Sequence, residues 1–237
     1  MSEYVLVHGA WHGKWCWDKV VQELERQGHQ ATAVDLPGHG SDRTPVAQVT
    51  LEAYVARVCE ALRNAAQPVF LVGHSMGGGV ITRSAELEPE RVRKLIYVAG
   101  ILPRDGQNMA EILSWDQNSL IVKNQLLSED KLSVTVREEA LADIFYSDCS
   151  ADDISRAKSL LVPQSIAPVI APIHVTPERF GRIPRLYIAT LQDRAIIPAL
   201  QSRMYSATPC EQVIPLDTSH SPFFSSATAL ADHLGSL

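Results

Sequence analysis

Residues 68–79 of the chain read Pro68-Val69-Phe70-Leu71-Val72-Gly73-His74-Ser75-Met76-Gly77-Gly78-Gly79. The apolar run that begins at Val69 does not alternate with polar residues, which predicts a strand buried on both faces. The residues after the glycines have helical periodicity. A Gly-x-Ser-x-Gly turn between a strand and a helix exposes the serine hydroxyl and points the first helical N–H groups at whatever the serine attacks. We therefore predict that Ser75 is a nucleophile; the alternative is a glycine-rich loop that only joins a strand to a helix.

The composition is that of an ordinary globular protein. The 237 residues are enough for one large α/β domain, and 46% of them are hydrophobic while 20% are charged, so a sizeable core can form. The net charge of -6 and the absence of any basic run argue against a nucleic acid or an anionic membrane surface as partner.

Several motifs that would change the functional class are missing. No apolar stretch approaches the ~18 residues of a transmembrane helix, and no basic segment precedes an apolar one near the N-terminus, so neither a membrane span nor a signal peptide is expected. The four cysteines are far apart and form no C-x-x-C pair, which favours reduced thiols and a cytoplasmic location. No metal-ligand spacing, phosphate loop or dinucleotide fingerprint is present, so we expect no metal and no cofactor.

The order of predicted elements indicates an α/β fold. Strands alternate with helices up to residue 103 and again from residue 182, which predicts a mostly parallel, doubly wound sheet of about six strands with helices on both faces. The alternation is absent from residues 104–181, where two helical pieces and several prolines are found. We predict a core made of residues 1–103 and 182–237, with residues 104–181 inserted after the fourth strand as a helical lid.

A serine hydroxyl needs a base to take its proton, and histidine has the suitable pKa. Of the eight histidines, only His220 lies in a loop between the last predicted strand and the last helix. Asp193 follows the fifth strand of the core and can orient His220. The chain order Ser75, Asp193, His220 is that of the α/β-hydrolase catalytic triad. Asp217 is the alternative acid, although it would have to fold back within its own loop.

The remaining site residues follow from the loops at the carboxyl ends of the strands. The backbone N–H groups of Met76 and Ala10 are predicted to bind the oxyanion of a tetrahedral intermediate. The other histidines near these loops are expected to have structural roles; they are His8, His12, His39 and His74. The predicted pocket lining is apolar and carries no charge, which suits an uncharged ester; it comprises Trp11, Met76, Ile101, Leu102, Ile196 and Phe223, together with the lid.

Three segments together resemble a known family. They read Val7-His8-Gly9-Ala10-Trp11-His12-Gly13-Lys14-Trp15-Cys16-Trp17, Gly28-His29 leading to Val34-Asp35-Leu36, and Gly73-His74-Ser75-Met76-Gly77-Gly78. They are similar to the plant methylesterase and hydroxynitrile lyase group of α/β-hydrolases. The C-terminal part, from residue 184 through Asp193 to Ser219-His220-Ser221-Pro222, also resembles bacterial carboxylesterases, including pyrethroid-hydrolysing ones. The resemblance implies the α/β-hydrolase fold and covers nearly the whole chain except the lid.

This group contains two chemistries that differ at two positions. Its hydroxynitrile lyases carry threonine where this chain has Gly9, and a lysine directly after the catalytic histidine, where this chain has Ser221. The resemblance therefore implies ester hydrolysis rather than cyanide release.

The resulting expectation is a cofactor-free serine carboxylesterase acting on small to medium uncharged aryl or alkyl esters, as a monomer or homodimer. Two alternatives stay open at this point. One is carbon–carbon cleavage of the hydroxynitrile lyase type on the same triad, and the other is a non-catalytic ligand-binding protein on a hydrolase fold.

Overall fold

The computed structural model describes all 237 residues, and its centre is a sheet of six parallel strands. The strands are ordered β2-β1-β3-β4-β8-β9 across the sheet. In chain order the strands of the whole protein are β1 (Glu3–Val7), β2 (Gln30–Val34), β3 (Val69–His74), β4 (Val92–Val98), β5 (Gln125–Leu127), β6 (Ser133–Val136), β7 (Gln164–Ser165), β8 (Arg185–Thr190) and β9 (Gln212–Leu216). The six-stranded parallel sheet confirms the predicted fold class.

Helices connect the strands of this sheet. They are α1 (Asp18–Arg26), α2 (Leu51–Asn64), α3 (Met76–Leu87), α4 (Met109–Leu113), α5 (Leu120–Asn124), α6 (Glu138–Phe145), α7 (Ala151–Leu160), α8 (Ala167–Ile170), α9 (Pro198–Ala207), α10 (Pro222–Ser225) and α11 (Ala227–Gly235). Helix α2 begins after an N-cap residue, Thr50. Its Oγ1 accepts a hydrogen bond of 3.1 Å from the N–H of Ala53. No helix has both the length and the apolar character needed to cross a bilayer.

Strand β3 is the most enclosed part of the sheet. All six of its residues are buried, and it pairs with β1 on one side and β4 on the other. Chain order reverses here, because β2 lies beyond β1 while β4 lies beyond β3. A ligand crevice is expected at the carboxyl ends of the strands at such a reversal. The loops after β1, β3, β4, β8 and β9 all open toward that edge.

The insertion between β4 and β8 differs from the predicted helical lid. It contains helices α4 to α8, but also a three-stranded antiparallel sheet in the order β5-β6-β7. These strands have three, four and two residues, which is too short for a two-residue alternation to be recognised in the sequence. Ile144, Phe145 and Tyr146 of the insertion belong to the same buried apolar cluster as the central sheet, so the insertion packs directly on the core.

Two glycines allow helix α3 to approach the sheet after β3. A Cβ atom at Gly73 would lie 2.7 Å from the carbonyl oxygen of Gly77, and one at Gly77 would lie 2.7 Å from the carbonyl oxygens of Val7 and His8. The backbone of the turn therefore contacts the backbone of the β1 loop directly. No side chain fits at either position without moving one of the two segments.

We expect the substitution Gly77→Ala to lower the free energy of unfolding by about 1–3 kcal/mol, because the added methyl group overpacks two backbone carbonyls. Urea denaturation followed by circular dichroism measures this change. Gly181→Ala is the matched control, since its nearest contact would be at 3.3 Å and its backbone is not left-handed. Equal losses in the two variants would contradict the steric explanation.

Candidate active site

Ser75 lies at the turn between β3 and α3 in a strained backbone conformation. Its φ of 52° and ψ of -123° are unusual for a residue that is not glycine. Its carbonyl oxygen accepts hydrogen bonds from the N–H groups of Gly78 at 3.0 Å and Ile101 at 2.9 Å, and its own N–H donates to Val98 at 3.3 Å. These bonds hold the strained residue in place, so the side chain is presented at the carboxyl edge of the sheet.

Asp193 follows β8 and is buried, with 3% of its surface exposed. Five hydrogen-bond donors surround its carboxylate: Thr190 Oγ1 at 2.8 Å, Ala195 N at 2.8 Å, Ile196 N at 2.9 Å, Gln201 Nε2 at 3.3 Å and His220 Nδ1 at 2.7 Å. Donors on several sides leave the carboxylate a single orientation. The predicted acid and the predicted base are thus in direct contact.

Asp217, the alternative acid, lies elsewhere. Its carboxylate accepts a hydrogen bond from Gln192 Nε2 at 2.8 Å in an exposed position. The His220 ring nitrogen Nδ1 is bonded to Asp193 and not to Asp217. The geometry therefore favours Asp193 as the residue that orients the histidine.

His74 connects the serine turn to the histidine loop. Its Nε2 donates to the carbonyl oxygen of His220 at 2.8 Å, and the centroids of the two rings are 4.5 Å apart. The structure contains no hydrogen bond between Ser75 Oγ and His220. Bonds between a nucleophile and its base are often long before substrate binds and shorten in the complex.

Two backbone N–H groups near Ser75 have no acceptor in the protein. The N–H of Met76 is the first of helix α3, where no intrahelical acceptor exists. The N–H of Ala10, in the loop after β1, makes no hydrogen bond either. Both residues line the same cavity as Ser75. This is the arrangement that the sequence predicts for an oxyanion-binding pair.

The buried histidines beside the site are held as neutral rings. Burial lowers the pKa of His8 and His74 well below the usual value, lowers that of His39, and lowers that of His12 to about 4. Their contacts match the structural roles that the sequence predicts. His12 Nδ1 donates to the carbonyl of Ala10 at 2.8 Å, so this ring braces the loop that carries the free N–H.

The cavity above Ser75 has a volume of about 400 Å³. Thirteen of its sixteen lining residues are hydrophobic and none is charged. Of the predicted pocket residues, Trp11, Met76 and Ile101 line it, as do Ala10 and Ser75. The cavity thus combines an apolar wall with the serine hydroxyl and two unpaired backbone donors.

Three residues that the sequence analysis places in the pocket lie outside this lining. Leu102 is buried in the core, and Ile196 is buried with its N–H bonded to Asp193. Phe223 packs edge-on against His74, with ring centroids 4.9 Å apart. Ile196 thus contacts the acid and Phe223 contacts a buried histidine, so neither side chain is available to line the cavity.

Most of the lining comes from the insertion, which the sequence predicts to cover the pocket without indicating which of its residues do so. Its eleven lining residues are Ala110, Leu113, Ile121, Val122, Gln125, Leu127, Val134, Gln164, Ile166, Val169 and Ile170. Gln164 is fully buried, and its side chain contacts His39 Nε2 at 3.0 Å and Tyr54 Oη at 3.0 Å. The sequence carried no usable signal for these positions, because their elements are too short to show a period.

No group of three or more histidine, cysteine, aspartate or glutamate side chains is placed to hold a metal ion.

The family model described as "Alpha/beta hydrolase family" matches residues 4–233, nearly the whole chain. The chain belongs to the alpha/beta hydrolase family. This alpha/beta hydrolase is 33% identical over 261 residues to methylesterase 18 of Arabidopsis thaliana, with 99% of this chain and 97% of the relative covered. It is also 31% identical over 241 residues to a chloroplastic protein of the same plant named as methylesterase 11. This match covers 97% of the present chain but only 62% of the relative.

Among solved structures, this alpha/beta hydrolase resembles a pyrethroid hydrolase from Sphingobium faniae. The TM-score is 0.90 at 28% identity, and the match covers 99% of this chain and 96% of the other. The resemblance to plant methylesterases and bacterial pyrethroid hydrolases predicted from the sequence motifs is therefore confirmed.

Lowering the pH from 6.5 to 4 should destabilise the protein. An unfolded chain binds a proton at His12 near pH 6.5, whereas the folded chain does so only near pH 4, where its pKa lies. The unfolded state therefore holds more protons in this window, so stability falls as the pH falls. This one histidine accounts for a loss of about 3 kcal/mol by pH 4. Urea denaturation at pH 7, 5.5 and 4.5 measures it.

His12→Gln is the control for this prediction, since glutamine does not titrate and can still form hydrogen bonds. We expect the variant to lose less stability than the wild type between pH 7 and pH 4.5. An identical loss in both proteins would mean that His12 does not contribute.

Proposed function

We propose that this protein is a serine carboxylic-ester hydrolase that acts on uncharged esters through an acyl-enzyme intermediate. The observation that carries the proposal is the buried hydrogen bond of 2.7 Å between Asp193 and His220, beside a serine held at a strained turn in an apolar cavity. The similarity to proteins named as a methylesterase and as a pyrethroid hydrolase supports it, because the first name denotes ester cleavage and the second denotes hydrolysis.

In the proposed reaction, Ser75 Oγ attacks the ester carbonyl carbon while His220 Nε2 accepts the serine proton. Asp193 holds the other ring nitrogen, Nδ1, and stabilises the imidazolium that forms. The free N–H groups of Ala10 and Met76 donate hydrogen bonds to the negative oxygen. The alcohol then leaves with the proton from His220, and water cleaves the acyl-enzyme by the same steps in a second round.

The cavity supports an uncharged substrate. Its only polar side chains are those of Ser75, Gln125 and Gln164, so it offers no partner for a charged group, and burying an unpaired charge is costly. Val122, Leu127 and Ile170 line the cavity and are each about half exposed, which makes its mouth apolar as well. An aryl or alkyl ester of small to medium size matches this volume and chemistry.

The geometry at residue 9 favours ester hydrolysis over the hydroxynitrile lyase alternative. A Cβ atom at Gly9 would lie 2.9 Å from both His74 Nδ1 and Ser75 Cβ, so the space that a threonine would occupy is closed here. The residue after His220 is Ser221, which is buried and uncharged, and cannot neutralise a departing cyanide. The cytoplasmic location and the monomeric or dimeric state stay sequence-based predictions.

Ser75→Ala tests the proposal directly. We expect hydrolysis of p-nitrophenyl acetate to fall at least a thousandfold, since the attacking oxygen is removed. The change deletes one oxygen atom, so the free energy of unfolding from urea denaturation should stay within about 0.5 kcal/mol of the wild-type value. A fluorophosphonate probe should label the wild type at Ser75 and leave the variant unlabelled. Retained hydrolysis in a folded Ser75→Ala protein would refute the proposal.

Asp193→Asn tests the role of the carboxylate. Asparagine replaces one of the two accepting oxygens by an NH2 group, which donates. Facing His220, this group requires Nδ1 to accept, so the ring adopts the wrong tautomer and we expect kcat to fall by about 10³–10⁴. Asp217→Asn is the matched control from the neighbouring loop and should keep kcat within a factor of about three. The reverse ranking of the two variants would assign the role to Asp217.

A further inference from the structure

Trp11 is the one residue that lines both the cavity at Ser75 and a second cavity beside it. The second cavity has a volume of about 490 Å³. It lies between β6 and α7, and none of the residues predicted for catalysis reaches it. Trp11 therefore lies between the two cavities.

The side chain and backbone of Trp11 are fixed in this position by the insertion. Its indole Nε1 donates to the carbonyl of Val134 at 2.9 Å, and its own carbonyl accepts from the N–H of Val162 at 3.0 Å. The ring also packs against Phe145, with centroids 5.6 Å apart, and only 7% of the residue is exposed. The bonded indole nitrogen, the packed ring face and the anchored backbone together make Trp11 a fixed wall.

The two cavities differ in chemistry. The first is lined almost entirely by apolar residues, whereas the second combines an apolar part with polar side chains. Its polar members are Thr135, Glu138, Ser155, Lys158 and Ser159. Glu138 and Lys158 lie 3.9 Å apart and offset each other's charge, so the space suits an uncharged extended chain with a polar end.

We propose that Trp11 determines substrate size, by closing the catalytic cavity toward this second cavity and so limiting the length of the ester group that extends from Ser75 in that direction. The inference rests on the proposed function, since it concerns the ester bound there. Removing the indole joins the two cavities, so that longer chains fit. Each methylene group that then becomes buried should multiply kcat/KM by about four.

Trp11→Gly is the sharpest variant for the test. The φ of Trp11 is 63°, a left-handed conformation that glycine adopts without strain, so the change removes the wall without a backbone penalty. Trp11→Phe is the matched control, because it keeps an aromatic wall and loses only the hydrogen bond to Val134. Values of kcat/KM are measured for two ester series, one varied in acyl length and one in alcohol length, from two to twelve carbons.

We expect the ratio of kcat/KM for the ten-carbon to the two-carbon ester to rise at least tenfold in Trp11→Gly in one of the two series, and to change less than threefold in Trp11→Phe. Unchanged ratios in both series would overturn the inference, as would an equal rise in Trp11→Phe. If Trp11→Gly does not fold, Trp11→Leu removes most of the ring and is judged by the same ratio.

A binding measurement separates this inference from the proposed function. Binding of n-alkanols of four to twelve carbons to Ser75→Ala, with and without Trp11→Gly, is measured by isothermal titration calorimetry and requires no catalysis. The chain length that binds most tightly should increase in the double variant. If this shift occurs but the wild type hydrolyses no ester, the proposed function is wrong and the role of Trp11 in limiting chain length is supported. If the wild type hydrolyses esters but Trp11→Gly shifts neither binding nor rate, the proposed function is supported and the role of Trp11 is wrong.

Discussion

The whole arrangement depends on the backbone of Ser75. A left-handed conformation at a residue other than glycine costs about 1–3 kcal/mol, and the fold maintains it with hydrogen bonds to both the carbonyl and the N–H of that residue. Those bonds come from the start of α3, from the end of β4 and from the loop that follows β4. The strain is thus held by three elements that meet only because β3 lies in the middle of a parallel sheet with Gly73 and Gly77 facing its neighbours.

Around this turn, five chemically identical side chains have different bonding partners. His8, His12, His39 and His74 lie where burial lowers the pKa, and their ring nitrogens bind backbone or side-chain partners that shape the loops. His220 is the ring whose Nδ1 meets a carboxylate. The difference comes from position alone, since all five rings are nearly inaccessible to solvent.

The sequence was sufficient to predict the parallel sheet and the contact between Asp193 and His220. An unbroken apolar run such as β3 and a long helix such as α2 each leave a pattern that can be recognised without any tertiary information. Asp193 and His220 could be expected near Ser75 because the strand ends of a parallel sheet converge, so position in the chain implies position in space. The contact of Asp193 with His220 and the free N–H of Ala10 agree with that reasoning.

The insertion shows where such reasoning stops. Its strands have two to four residues and its helices are mostly short, so which side chains face the cavity depends on packing between segments far apart in the chain. The sequence predicts Leu102, Ile196 and Phe223 in the pocket because they lie close to strand ends, but Leu102 is buried in the core, Ile196 donates to Asp193 and Phe223 packs on His74. A position next to a strand end therefore identifies the neighbourhood of a side chain and not its direction.

The division of the cavity between two parts of the chain has a further consequence. The groups proposed to break and form bonds are supplied by the central sheet and its loops. Eleven of the sixteen residues that line the cavity lie in the insertion, residues 104–181. Substitutions in that segment can alter which molecules fit while the sheet, the turn at Ser75 and the carboxylate stay as they are. Such a protein can evolve toward new substrates through substitutions in one segment, and no variant along the way needs to lose catalytic activity.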